Sequence, residues 1–440
     1  MILKVLIAIH GFPPTHYAGS ERAAERVALW LVSQGIHVEV FTCENLYDPN
    51  THVETRTENG IIIHRLNYDI KNGDYFQNLY DDPRVGAAFQ QVVGQGGFDI
   101  VHVVSGYLVG PQIIRIAKAH NIPVVITLTE FWFMCYRLNL LNAHTEMCVG
   151  PETDEKCTRC IAEEKRRYRL ASQNLPALSD AFWKVANSTF ARDDVLAVKN
   201  RRETLSESLQ QVDLVICPSR FIISKFAEFG YDTSRFVQVR HGLKPPPTSI
   251  PVRDYSRVSA GLTLGYTGQI KPHKGIDLLV DAAIDLLNQG YQLTLNLWGD
   301  SEGKKAYAEA LQEKTKPYPS IRWRGKYGQD QLPDVLAELD ALVVPSRWYE
   351  NSPSVILEAH TYGMPVITTN LGGMKELVQH EVNGLLFEVN DSKDLQSQIK
   401  RMMDDPALLA RLAAGIPAMP TVDDELGSIF KYYQQLTQPT

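Results

Sequence analysis

Short runs of consecutive apolar residues recur along this chain, each followed by a helix-length amphipathic stretch, and that alternation admits few architectures. Residues 2–9 are almost wholly aliphatic, as a strand covered on both faces should be. A loop with Pro13, Pro14 and Gly19 follows, then Ala24, Val27, Ala28 and Leu31 at helical spacing with Gly35 as a stop. Further strand-like runs lie at 36–42, 60–66, 99–104, 122–128, 212–217 and 235–240, with a helix around 110–119. Residues 242–252 then carry four prolines in eleven positions, the composition of a stiff linker. Beyond it the alternation restarts, with strands expected at 262–268, 292–299, 321–325, 340–346 and 365–369. Leu279, Ala282, Ala283, Leu286 and Leu287 mark the helix after the first of these. The pattern predicts an α/β chain of two doubly wound, Rossmann-like halves, 1–245 and 246–420. A closing helix within 421–440 is expected to cross back to the first half. Halves of this kind bind ligands at the carboxyl ends of their strands, so a cleft between the two sheets is the expected site.

Composition narrows the class. At 440 residues, 44% hydrophobic and 22% charged, the chain is neither disordered, fibrous nor a polytopic membrane protein. A net charge of -7 argues against bulk nucleic-acid binding. No apolar run approaches the roughly 18–20 residues of a spanning helix. The opening run has only Lys4 as a basic residue and no small-residue cleavage site after it, so a buried strand is expected, not a secretion signal. The expected location is the cytoplasm, or the inner membrane face approached from it.

The chemistry concentrates in residues 343–373, VVPSRWYENSPSVILEAHTYGMPVITTNLGG. Ser352 is expected as an N-cap and Pro353 as the first helical residue. The first-turn N–H groups and the helix dipole then make an anion site suited to a diphosphate. Glu350, in the loop before that helix, is placed to accept hydrogen bonds from sugar hydroxyls, and Glu358, inside it, to bind a ribose. Two glutamates at this spacing also occur by chance in a strand–loop–helix; the preceding VVPS and the following EA-x3-G-x-PVI pattern make the functional reading the stronger one.

With these residues in place, the chain resembles the retaining glycosyltransferases of the GT-B fold, specifically glycosyltransferase family 4 (group 1). The resemblance spans nearly the whole chain and is sharpest at 340–376. It implies that Glu350 contacts the donor sugar, that Glu358 binds the nucleotide ribose, and that Asn351, Ser352, Ser354 and Val355 line the donor. In GYTGQIKPHKGIDLL (265–279), Lys274 and Gly275 match the family's lysine–glycine pair, and the resemblance gives Lys274 the diphosphate and the charge on the leaving nucleotide. The family's arginine position holds Gln269, so one of two expected cations is missing; Lys271, His273 and Arg240 are candidate replacements. Gly299, Lys326 and Tyr327 correspond to the base side. In the first half, Gly19 matches the glycine that approaches the donor phosphates. Thr129 and Glu130 stand where relatives often carry His-Asp. Glu130 is either a positioning group or base for the acceptor, or a supporting carboxylate. His10 and His16 face the expected cleft, although a single histidine is more often structural.

The resemblance implies transfer of a hexose from a nucleotide diphosphate-sugar, UDP-sugars such as UDP-glucose being favoured, with retention of configuration. The acceptor is a saccharide or lipid-linked saccharide, the setting polysaccharide biosynthesis, and no cofactor is required for catalysis. Two rivals stay open: a nucleotide-sugar-binding subunit with impaired catalysis, motivated by Gln269 and the Thr129–Glu130 pair, and a GT-B nucleotide-sugar epimerase.

Four of the six cysteines, Cys135, Cys148, Cys157 and Cys160, gather in an insertion at 130–205. The CTRC spacing and two further thiols admit a structural four-thiolate zinc site, two disulfides or free thiols. Cys43 and Cys217 sit at strand ends and read as buried hydrophobes. Basic residues interleaved with tyrosine and leucine at 163–170 and 198–205 suit either contact with an anionic membrane surface or a solvated helix face.

Overall fold

A computed structural model describes residues 3–17, 19–246 and 253–438. Residues 247–252, the larger part of the expected linker, lie outside the described residues. The chain divides into two compact units, Met1–Val239 with Leu426–Thr440, and Arg240–Glu425.

The first unit is built on eight strands: β1 (Lys4–Ile9), β2 (His37–Cys43), β3 (Tyr47–Glu58), β4 (Ile61–Asp69), β5 (Ile100–Val104), β6 (Val124–Thr127), β7 (Leu214–Cys217) and β8 (Phe236–Gln238). They lie in the order β3-β4-β2-β1-β5-β6-β7-β8. All neighbours are parallel except β3, which runs antiparallel to β4 at the edge. The apolar runs are the central strands, and every residue of β5, β6 and β7 is buried. β3 was not expected, because an edge strand with one face in water needs no apolar run; its sequence is polar and mostly exposed.

Four helices fill the insertion between β6 and β7: Asp154–Ala162, Arg166–Asn174, Pro176–Ser188 and Arg192–Gln210. The closing helix, Val422–Thr437, packs Leu426, Ile429 and Tyr433 into the first unit. There the Tyr433 hydroxyl lies 2.5 Å from His102 Nδ1, while His102 Nε2 lies 2.8 Å from Thr127 Oγ1. Burial depresses the His102 pKa to about 3, so the ring is neutral and satisfied by these two hydroxyls.

The second unit holds β9 (Leu262–Thr267), β10 (Leu293–Trp298), β11 (Ile321–Gly325), β12 (Ala341–Val344), β13 (Val366–Thr369) and β14 (Gly384–Phe387). They form one parallel sheet in the order β11-β10-β9-β12-β13-β14. Leu279, Ala282, Ala283 and Leu286 of the helix Ile276–Asn288 are buried in the core beside β9 and β10. Strand order reverses between β9 and β12 here, and between β1 and β5 in the first unit. At such a reversal the loops leaving the two strands diverge and leave room for a ligand.

Candidate active site

In the second unit the loops after β9 and β12 flank the reversal, and they carry the residues with the strongest sequence signal. After β9 the chain turns through Gly268, and Tyr266 fixes the turn by donating its hydroxyl to the Gln269 carbonyl at 2.7 Å. Residues Pro272–Lys274 form one tight helical turn ended by Gly275 at φ 71°. Glycine is required there: a Cβ would stand 1.9 Å from the Pro345 carbonyl oxygen. This close approach sets Lys274 beside the loop after β12.

Lys274 Nζ lies 2.5 Å from Glu350 Oε1, which also accepts from Trp348 Nε1 at 2.7 Å and Ser346 Oγ at 2.9 Å. The ammonium sits 4.9 Å from the centre of the Trp348 ring. Burial alone would raise the Glu350 pKa, but the Lys274 charge and the three donors overcome it and hold the carboxyl below its usual range. A negative, mostly buried acceptor and a cation are thus held together at the end of the sheet.

Two braces keep this pair in place. Arg347 grips Asp277 through both guanidinium nitrogens, at 2.8 and 2.6 Å, and donates to the Pro272 carbonyl at 3.3 Å. Its backbone N–H reaches the His273 carbonyl at 2.8 Å, so the two loops are tied directly. Sequence reasoning missed Arg347; the basic residue after VVPS was its only signal. On the other side, Gly373 N–H donates to the Glu350 carbonyl at 2.8 Å, and a Cβ on Gly373 would lie 1.7 Å from the Asn351 carbonyl oxygen.

The helix expected from Ser352 begins later. It spans Ser354–Thr361 with Pro353 at its cap position, so Ser352 is not the N-cap and Pro353 is not the first helical residue. The proline ring fixes φ (−66°) but not ψ, and the extended ψ of 114° leaves Pro353 outside the helix, which begins one position later. The Ser352 hydroxyl is left buried with no hydrogen-bond partner, a polar atom available to a ligand. The N–H groups of Ser354 and Val355 occupy the first turn, where a helix offers no acceptor of its own.

Glu358 is buried in the same helix, and burial, with the Glu358 charge adding to it, raises the Tyr327 pKa to about 12. Lys326 pairs with Asp300, 2.7 Å away, and is 67% exposed. Gly299 is needed for backbone approach, since a Cβ would sit 1.9 Å from the Gly268 carbonyl oxygen.

The side chain at Gln269 is exposed. Of its candidate replacements, His273 has its pKa lowered to about 4 by burial and by Lys274, and carries no charge at neutral pH. Arg240 is paired with Glu376 at 3.2 Å.

In the first unit, His10 follows β1 and lies 3.3 Å from Glu21 of the helix Gly19–Ser33. Burial would raise the Glu21 pKa, but the His10 hydrogen bond and charge lower it. His10 Nδ1 and Glu21 Oε2 are buried without partners, a donor–acceptor pair that sequence reading reached only in part, since Glu21 resembles any amphipathic-helix carboxylate. Nothing among the described residues lies within 4 Å of a Cβ added at Gly19, so space beside it is open. His16 is turned to the Glu44 carbonyl at 3.1 Å. Glu130 accepts from Ser105 Oγ at 2.9 Å and from the Trp132 backbone N–H, and burial pushes its pKa up to about 7. Thr129 meets Ser20 at 3.1 Å.

The four insertion cysteines are unpaired thiols bordering one cavity of about 270 Å³. Among the described residues, no three His, Cys, Asp or Glu side chains converge closely enough to hold a single metal ion as they stand.

Two Rossmann-like parallel-sheet units in one chain are the GT-B architecture, and solved structures share the fold over the full chain. Sucrose-phosphate synthase from Thermosynechococcus elongatus aligns with a TM-score of 0.65 at 18% identity, covering 99% of each chain. Anabaena HepE, solved with UDP and glucose, aligns at 0.61 and 18% identity, covering 98% of this chain and 99% of that one. Residues 18–242, just over half the chain, match the family described as Glycosyl transferase 4-like domain, and residues 256–417 match Glycosyl transferases group 1. The protein belongs to this glycosyltransferase family. Among curated relatives, a putative glycosyltransferase, YtcC, from Bacillus subtilis is 26% identical over 56% of this chain and 62% of its own. A D-inositol 3-phosphate glycosyltransferase from Rhodococcus opacus is 30% identical over 43% and 45%. The chain thus spans less than two thirds of these relatives' lengths.

Proposed function

We propose that the chain transfers a hexose from a UDP-sugar, UDP-glucose being the first choice, to a saccharide or lipid-linked saccharide in polysaccharide assembly, with retention at the anomeric carbon. The observation that carries this reading is the Lys274–Glu350 pair beside the orphaned Ser352 hydroxyl and the first turn of the helix Ser354–Thr361. Lys274 and the first-turn N–H groups cover the diphosphate charge, which grows as the anomeric C–O bond breaks. Glu350 accepts from donor hydroxyls, and Glu358 with Tyr327 takes the ribose and base. The acceptor hydroxyl bonds to the anomeric carbon on the face the nucleotide leaves, and its proton passes to the departing phosphate. No cofactor enters this scheme. Acceptor recognition is assigned to His10, Glu21 and Glu130 at the carboxyl ends of the first sheet; UDP is favoured because it is the nucleotide of the HepE structure.

Contact with an anionic membrane face from the cytoplasm is part of the proposal. Leu175, Leu178, Val185 and Phe190 on the insertion are more than half exposed, with Arg166, Arg167 and Arg169 on the preceding helix. Among the described residues, no helix is long and apolar enough to cross a membrane.

The exposed glutamine at 269 favours a second reading, a subunit that binds nucleotide-sugar without turnover. A thermal-shift panel with UDP, GDP and ADP, followed by donor turnover with and without saccharide acceptors, separates the readings. A donor at a hundred times its Kd stabilises by about 2.7 kcal/mol. Binding without turnover with any acceptor supports the second reading, and free epimer without acceptor points to an epimerase.

A further inference from the structure

The cysteine cavity lies outside the site described above and has its own chemistry. Cys135 and Cys148 come from one loop, closed by a bridge between Leu141 and Met147. Cys157 and Cys160 come from the helix Asp154–Ala162, where the i, i+3 spacing puts both on one face. The loop runs through three non-glycine residues at positive φ, Leu138 (65°), Leu140 (53°) and Thr145 (65°), each an energetically costly backbone state that persists only where surroundings enforce it. Local contacts supply part of that constraint: Glu163 is held by Arg159 at 2.7 Å and by His144 at 2.9 Å. Backbone groups of Arg137 and Leu140 hydrogen-bond Cys135 and that of Ala143 hydrogen-bonds Cys160, while Cys148 Sγ lies 3.5 Å from the Gly150 carbonyl, so the loop is wrapped around the sulfurs that border one void.

We propose that Cys135, Cys148, Cys157 and Cys160 ligate a thiolate-bound metal centre that clamps this loop onto the helix Asp154–Ala162. Its role is structural, because all four protein ligands are thiolates and none is left open for substrate. A single zinc ion draws four sulfurs to about 2.3 Å from one point. In a [4Fe–4S] cluster each thiolate binds its own iron, so the sulfurs stay apart around a larger space. A shared cavity of about 270 Å³, with no three ligands converging on an ion, fits the cluster better.

The proposal stands apart from glycosyl transfer and is tested without it. The full chain is purified without oxygen, and iron, sulfide and zinc are measured alongside visible absorption and thermal melting. Iron and acid-labile sulfide near four each per chain, with a visible chromophore lost in Cys157→Ser and Cys160→Ser, is the expected result. About one zinc per chain, lost in the same variants, upholds the four-thiolate site and overturns its being a cluster. Metal-free, folded protein overturns the proposal when these cysteines titrate as free thiols, or as two disulfides, and added iron or zinc leaves the melting temperature unchanged. Because metal content and thiol titration are read on the unsubstituted protein, poor folding of a serine variant does not blunt the test.

Discussion

Replacing Glu350 with glutamine keeps the side chain's shape and removes the anion that faces Lys274. Three donors end on Glu350 Oε1, and the shortest contact, 2.5 Å, is from the Lys274 ammonium. Removing one partner of a fully buried ion pair costs about 3–5 kcal/mol. Here the two side chains keep 20% and 13% exposure, so water reaches the stranded ammonium and a loss of about 2–3 kcal/mol is expected. In a domain of 150–250 residues each kcal/mol moves the midpoint about 2–4 °C, so Tm falls by about 4–12 °C. Lys274→Met removes the other charge, and the double variant completes a cycle. If the pair carries the energy, the double variant loses less than the sum of the singles by about 1.5–3 kcal/mol. Urea unfolding with calorimetry measures all four proteins. The sign with pH follows from the lowered carboxyl pKa. The pair's contribution is present above the ordinary carboxylate value of 4.5 and disappears as pH falls through the folded-state value, a slope that Glu350→Gln lacks. In the functional arm, Glu350→Gln frees Lys274, so nucleotide diphosphate binding is kept while transfer falls by about two orders of magnitude or more. Additive losses within about 0.5 kcal/mol would refute the coupling, and retained transfer would remove Glu350 from the mechanism.

Gly373→Ala should push the Glu350–Asn351 backbone out of place, costing about 1–3 kcal/mol and lowering transfer in a steady-state assay; full activity would show that the brace is dispensable. Tyr433→Phe should destabilise the chain by about 1–3 kcal/mol in urea unfolding, because His102 loses one of its two partners inside the core. The same histidine predicts a pH effect: its folded-state pKa of about 3 lies below the ordinary 6.5, so its contribution is whole above 6.5 and shrinks as pH falls from there toward 3. His102→Gln, followed by the same unfolding curves, should flatten that slope. Leu178→Ser with Val185→Ser should weaken co-sedimentation with anionic vesicles while transfer to a soluble acceptor is unchanged; unaltered co-sedimentation would remove this surface as the membrane contact.

Legibility followed burial. The central strands were readable because both their faces are covered, which forces continuous apolar runs such as 2–9 and 99–104. β3 escaped because its exposed edge places no demand on composition, and β14 because Gly384–Phe387 is too short to stand out. Lys274, Glu350 and Glu358 were visible from spacing and resemblance. Arg347 was not, since its value lies in reaching Asp277 and Pro272, some seventy positions earlier in the chain. The start of the helix near Ser352 was misplaced by one or two residues because proline favours both the first helical position and the extended one before it.

By itself the sequence determined two α/β halves, a glycosyltransferase-like motif block and a gathering of four cysteines, since alternation, glycine placement and local spacing are properties of neighbours along the chain. Tertiary structure decided what those residues meet. It joined Lys274 to Glu350, tied His10 to Glu21, left the Ser352 hydroxyl unpartnered, and spread four thiols around one cavity instead of closing them on a point. Such contacts depend on where the loops leave each sheet, and strand order is set by packing between segments far apart in sequence.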